Sequence, residues 1–113
     1  MQVPKDAVLL RIFIGEGDRH AGKPLYEAIV LKARELHLAG ATVLRGPMGY
    51  GNSSRLHTAK ILRLSEDLPL VIELVDSEEK IGAFLPVLDA MFGSGLVTLE
   101  KVQVLRYGAP QSP

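Results

Sequence analysis

Two glycine-rich segments, three histidines, a pair of serines and a short basic run are the parts of this 113-residue chain with side chains or backbone suited to chemistry. The longer glycine segment is Gly46-Pro47-Met48-Gly49-Tyr50-Gly51-Asn52-Ser53-Ser54, and the shorter is Gly93-Ser94-Gly95. Without a Cβ, such loops let backbone amides approach a phosphate. Turns between strands and stops at helix ends use the same residues with no ligand at all, so the residues alone leave both readings open. Two such loops in one small chain allow a ligand to sit between them. His20, His37 and His57 are too widely separated to form a metal-ligand spacing. Ser53, Ser54 and His57 are close in sequence, yet neither a nucleophile elbow nor an orienting carboxylate accompanies them. Glu78, Glu79 and Lys80 read as a solvated first helical turn rather than an acid and base pair. Arg55, Lys60 and Arg63 could meet a phosphate, an acidic partner surface or only water. The expectation is a chain with neither a catalytic centre nor a metal site.

The elements that must position these loops are legible from hydrophobic period. Val8, Leu10, Ile12 and Ile14 alternate with Leu9, Arg11 and Phe13 as a first strand, and turn formers from Gly15 to Gly22 end it. Pro24 suits the first position of a helix, and Leu25, Ala28, Ile29, Ala33 and Leu36 continue at helical spacing until Gly40. Residues 41–45 read as a second strand running into a mobile loop over 47–58. Residues 68–75 form the clearest strand, with Pro69 at its start. Asp76-Ser77-Glu78-Glu79 offers a helix cap, and Ile81, Phe84, Leu85, Leu88 and Met91 follow, with a kink expected at Pro86. A last strand runs from Val97 to Arg106, and a phase slip between Leu99 and Val102 predicts a bulge or turn at Glu100 and Lys101. The order βαββαβ gives an α+β fold, a ferredoxin-like sandwich whose four-stranded antiparallel sheet carries two helices on one face. One domain spans 1–107, and 108–113 reads as a flexible tail.

Composition bounds the partners. Thirteen basic and thirteen acidic side chains balance, so no global field favours nucleic acid or an anionic membrane. Cysteine is absent, which excludes disulfides and thiolate metal sites and fits a reducing compartment. The apolar run from Val8 to Ile14 is interrupted by Arg11 and falls far short of the roughly 20 residues of a membrane-spanning helix. Neither a signal peptide nor an anchor is read, and the expected location is the cytoplasm. The first and third strands are apolar in both phases, Leu9 and Phe13 against Leu10 and Ile12, and Val71 against Leu70 and Ile72. Strands apolar on both faces are normally buried on both, which predicts that the helix-free face packs against other copies of the chain.

From Leu9 to Tyr107 the chain resembles the PII signal-transduction proteins. Gly40-Ala41-Thr42-Val43 is similar to the Gly-Met-Thr-Val that opens their second strand, Gly49-Tyr50-Gly51 with His57-Thr58 resembles their Gly-Phe-Gly and His-Thr, and Gly93-Ser94-Gly95-Leu96-Val97 stands where they carry a glycine loop against nucleotide phosphates. The fit is better still to the PII-like group called domain of unknown function family 190. Its members resemble this chain at 22–28 (Gly-Lys-Pro-Leu-Tyr-Glu-Ala), 41–46 (Ala-Thr-Val-Leu-Arg-Gly) and 62–69 (Leu-Arg-Leu-Ser-Glu-Asp-Leu-Pro). The resemblance implies a homotrimer with clefts between subunits, each taking an adenine nucleotide between the base of the mobile loop and the second glycine loop. A membrane channel or transporter is the partner implied by association. The chain also departs from the classical proteins. Ile61 stands near the place of their nucleotidylated tyrosine, Leu96 stands in the place of a phosphate-contacting lysine, and the loop is one residue longer before His57. No glutamine matches the one associated with 2-oxoglutarate.

The resulting expectation is a sensor without a tightly bound cofactor, whose effector is AMP, ADP or a cyclic nucleotide and whose 47–58 loop changes the surface offered to a partner. Ala41 and Thr42 are expected near the nucleobase. Gly49, Tyr50 and Gly51 are expected at a close backbone approach, with Gly93, Ser94, Gly95, Leu96 and Val97 around phosphate or ribose, and Arg45 and Arg106 supplying charge. An acylphosphatase-type phosphohydrolase would need an arginine and an oxyanion loop after the first strand, where Glu16 and Asp18 stand instead. RNA binding on this strand order needs sheet aromatics, and Phe13 is the one plausible strand aromatic. A metal-responsive trimer of the CutA kind needs a histidine or carboxylate site that the sequence does not locate.

Overall fold

A computed structural model describes residues 5–51, 57–58 and 67–108. Ser53, Ser54, Arg55, Lys60, Ile61 and Arg63, much of the 62–69 string, part of the 47–58 loop and nearly all of the 108–113 tail lie outside the described residues.

Strand β1 (Asp6–Gly15) and strand β7 (Pro69–Asp76) form the centre of the sheet. They pair antiparallel with Leu10 opposite Leu74, Ile12 opposite Ile72 and Ile14 opposite Leu70. These pairs are buried, while Leu9, Arg11, Phe13, Val71, Glu73 and Val75 on the other face are half-buried. The two-residue alternation has therefore been resolved by one face meeting the helices. Strand β4 (Thr42–Arg45) flanks β7, and strand β8 (Leu96–Gln103) flanks β1, giving the antiparallel order β4-β7-β1-β8. Helix α1 (Leu25–Glu35) buries Leu25, Ile29 and Ala33, and helix α2 (Glu78–Met91) buries Ile81, Phe84 and Leu88. All six belong to the single core cluster with the inward residues of β1 and β7. The ferredoxin-like sandwich is the observed fold.

Local expectations at Pro24 and at the end of α1 are corrected. Pro24 is not the first helical residue: its ψ of 131° is extended, and it pairs with Arg19 in a small hairpin of β2 (Arg19–His20) and β3 (Lys23–Pro24). The hairpin turn uses Ala21 at φ 51° and Gly22 at φ 80°. Helix α1 stops at Glu35, short of Gly40. His37 takes the left-handed position at φ 61°, and the Leu38 amide donates to the Ala33 carbonyl at 3.0 Å, so the chain turns before the glycine is reached. Ser77 caps α2 through its Oγ, which accepts from the Lys80 amide at 3.1 Å. Helix α2 runs unbroken across Pro86, which is exposed together with Gly82, so the carbonyl left without an amide donor lies on the solvent side.

The expected bulge at Glu100 and Lys101 is absent. Glu100 pairs with Leu9 and Lys101 with Val8 in continuous register, and the strand ends at Gln103 rather than Arg106. Strand β8 is an edge, exposed along nearly its whole length, so no core enforces its apolar phase and a slip in sequence period needs no backbone adjustment. The glycine loop contains an unforeseen pairing of β5 (Met48–Gly49) with β6 (His57–Thr58).

Candidate functional site

The antiparallel order places the ends of β4 and β1 and the starts of β7 and β8 at one end of the sheet. Arg45 and the glycine loop lie there beside Pro69, and the Gly93–Val97 loop lies there beside Phe13. Two strands intervene between β4 and β8. Three strand spacings of about 4.8 Å put these groups about 14 Å apart at opposite edges. A single chain thus brings the two glycine loops to the same end without bringing them together.

The glycines differ in what they do. Gly46 donates its amide to the Pro69 carbonyl at 2.8 Å. A Cβ on Gly46 or Gly49 would lie 3.0 or 3.1 Å from the Pro69 ring, so both have a packing reason to be glycine. A Cβ on Gly51 would meet nothing within 4 Å among the described residues, and Tyr50 beside it is exposed. Gly95 has φ of 154°, and a Cβ there would fall 2.4 Å from the Phe13 carbonyl oxygen and 2.7 Å from the Phe92 ring. A Cβ on Gly93 would likewise meet nothing within 4 Å among the described residues. Ser94 is exposed between them. Leu96 pairs with Phe13 on the helix-free face and is exposed, whereas Val97 pairs with Ile12 and lies on the helix side. Arg45 forms an ion pair with Glu16, which ties the end of β4 to the turn after β1.

At the opposite end the structure does assemble a site. Ala41, Thr42 and Arg106 line one cleft of about 640 Å³, within the range of small-ligand sites. Its floor is the helix-free sheet face, including Leu9 and Val75. One wall is the Ala39–Thr42 segment entering β4, and the other is Val102–Tyr107. After β8 the chain turns, held by the Val104 amide donating to the Lys5 carbonyl at 2.7 Å, and the Tyr107 hydroxyl donates to the Ala39 carbonyl at 2.6 Å. Arg106 is the cationic side chain in the lining, and Glu73 is the carboxylate. Glu73 is already engaged: Arg11 Nε donates to it at 2.9 Å, while Arg11 reaches Glu100 at 3.4 Å. The hydrogen bond that Arg11 donates to Glu73 is the main reason the Arg11 pKa is raised beyond its ordinary value, so this charge is fixed at all working pH.

Sequence reasoning passed over the residues that stiffen the cleft. Asp76, 1% exposed, accepts from the Ala39 amide at 2.8 Å and the Ser77 amide at 2.7 Å. Lys80 donates to the His37 carbonyl. Asp76 was legible only as a helix cap, and Tyr107 carried no local pattern at all. Their partners are 37 and 68 residues away, beyond any period or motif. Among the described residues, no group of three histidine, cysteine, aspartate or glutamate side chains is arranged to hold a metal. No described helix is long and apolar enough to cross a membrane.

The fold is of the PII-like class. Structures of CPII, a nitrogen regulatory PII-like protein from Thiomonas intermedia K12, superpose over nearly the whole chain. One, bound to ADP, AMP and bicarbonate, gives a TM-score of 0.63 at 20% identity, covering 89% of this chain and 90% of that one. Another, bound to ADP, AMP and acetate, gives 0.58 at 21% identity and covers 94% of each. Within that class the chain belongs to the DUF190 family, described as "Uncharacterized ACR, COG1993", whose model matches residues 7–104. A UPF0166 protein of Aquifex aeolicus (strain VF5) is 42% identical over 97 residues, 86% of this chain and 91% of the relative. UPF0166 protein MJ1524 of Methanocaldococcus jannaschii is 36% identical over 101 residues, 88% and 93% respectively.

Proposed function

We propose that this protein is a non-enzymatic, trimeric sensor that binds an adenine nucleotide in clefts between subunits and signals to a partner through the 47–58 loop. The observation that carries this reading is the cleft lined by Ala41, Thr42 and Arg106, in a fold whose solved neighbours hold ADP and AMP. Intersubunit binding is supported by the separation of the glycine loops. An effector touching both groups needs the β4 edge of one copy brought to the β8 edge of the next. The open sheet face, with Phe13 and Val71 half-buried and Leu44 and Leu96 exposed, supplies apolar surface for that assembly. In this arrangement Ala41 and Thr42 face the base, Gly49, Tyr50 and Gly51 and the Gly93–Val97 loop approach ribose and phosphate, and Arg45 and Arg106 meet charge.

A single cation in the cleft lining favours AMP or a cyclic nucleotide over a triphosphate, because fewer anionic charges need partners. The regulated partner, on the family's association, is a membrane channel or transporter, and the protein acts in the cytoplasm. Nucleic acid is not a partner on this reading.

Light scattering followed by calorimetric titration with AMP, ADP, ATP, cyclic AMP and cyclic di-AMP tests the proposal. The expected result is a trimer saturating at one nucleotide per subunit. A trimer that binds none of them overturns the nucleotide reading, and phosphate release from an acyl phosphate or nucleotide would favour a phosphohydrolase instead.

A further inference from the structure

The two walls of the cleft come from segments far apart in sequence, and they differ in how firmly they are held. The Ala39–Thr42 wall is anchored where it begins: buried Asp76 accepts from the Ala39 amide, and just before it Lys80 donates to the exposed His37 carbonyl. The Val104–Tyr107 wall is outside any strand, and Leu105 is 83% exposed. Two hydrogen bonds secure that wall among the described residues: Val104 to the Lys5 carbonyl where the segment leaves β8, and Tyr107 to the Ala39 carbonyl at its far end. Arg106 lies between them. The Tyr107 hydroxyl is the one described hydrogen bond joining the two walls, and it ends on a residue whose own amide is fixed by a buried carboxylate.

We propose that Tyr107 is a positioning residue of this cleft: its hydroxyl latches the C-terminal segment to Ala39 and so holds Arg106 beside the cleft for the phosphate of a bound nucleotide. The proposal rests on the nucleotide reading above for the identity of the ligand, but the latch itself does not. An exposed arginine on an unpaired segment must be ordered before it can meet an anion, and that ordering opposes binding. A latch already closed in the free protein removes that cost. The base, which the reading above sets against Ala41 and Thr42, does not depend on Arg106. The latch should therefore matter for the phosphate and not for the base.

Tyr107→Phe removes the hydroxyl and keeps the ring, and trypsin cleavage after Arg106 reads the segment's freedom. In the absence of ligand, mass spectrometry should show release of the 107–113 peptide several times faster from Tyr107→Phe than from the wild type. AMP affinity should fall about fivefold, as expected for loss of one neutral hydrogen bond, while adenosine affinity stays unchanged. In an Arg106→Ala background the same substitution should cost no further AMP affinity, since its effect passes through that side chain. Equal release of the peptide from both proteins overturns the latch. Equal weakening of AMP and adenosine overturns the positioning of Arg106 and makes Tyr107 a merely structural wall. If the wild type binds no adenine nucleotide, the nucleotide reading fails, and the ligand-free proteolysis still decides the latch.

Discussion

Asp76→Ala is the sharpest test of how the cleft is held, because one buried carboxylate fixes two elements at once. Its oxygens accept separately from the Ala39 amide at 2.8 Å and the Ser77 amide at 2.7 Å, and the residue is 1% exposed. Truncation leaves both amides without a partner at sites that are only partly open to water. A hydrogen bond to a charged group contributes about 1.5–3 kcal/mol, and the partial exposure of Ala39 and Ser77 points to the lower end, so the pair should cost about 3 kcal/mol. With a urea dependence of about 1.5 kcal/mol/M for a chain of this size, the midpoint should drop by about 2 M. The assay is equilibrium unfolding followed by far-UV circular dichroism, with both proteins at one concentration because assembly shifts the apparent stability. Hydrogen exchange adds a local readout: the Ala39 amide should lose protection in the variant by more than the global change explains. A loss below about 1 kcal/mol, or retained Ala39 protection, would refute the clamp and mean that water replaces the carboxylate at little cost.

Gly95→Ala should destabilise by about 2 kcal/mol or more, since its φ of 154° disfavours a side chain and the new methyl would meet the Phe13 carbonyl at 2.4 Å. Gly93→Ala, with nothing within 4 Å, should stay within about 0.5 kcal/mol by the same thermal or urea unfolding. Phe13→Asp should convert the proposed trimer to smaller species by sedimentation velocity, because it places an unpaired carboxylate on the face assigned to copies of the chain; unchanged mass would remove that face from the interface. Leu96→Lys should raise ATP affinity about five- to tenfold and AMP affinity far less, as one added cation at the phosphate end predicts; equal gains for both would place Leu96 away from the phosphates.

The four main strands and two helices were legible because each has one face that must be dry. In β1 and β7 the alternation of Leu10, Ile12 and Ile14 with their neighbours, and of Leu70, Ile72 and Leu74 with theirs, leaves a single register that buries both sets. The readings that failed concern residues with no such constraint. The edge strand β8 has no core on either side to set its phase, so its slip at Glu100 meant nothing for the backbone. Pro24 has a φ that suits a helix start and an extended residue equally, and the hairpin with Arg19 decided between them.

By itself the sequence determined the ferredoxin-like order, the helix-free apolar face and the two glycine loops, because period and turn chemistry act over a few residues. It also carried the motifs of the DUF190 family, to which the chain belongs. Only the tertiary structure decided that the glycine loops occupy opposite edges of one sheet end, and that Ala41, Thr42 and Arg106 share a cleft at the other. Only the fold could bring Tyr107 to Ala39 and Ala39 to Asp76. Those hydrogen bonds link residues that share no local pattern, and they form only after the packing of β1, β7 and the helices has fixed where each segment enters and leaves the sheet.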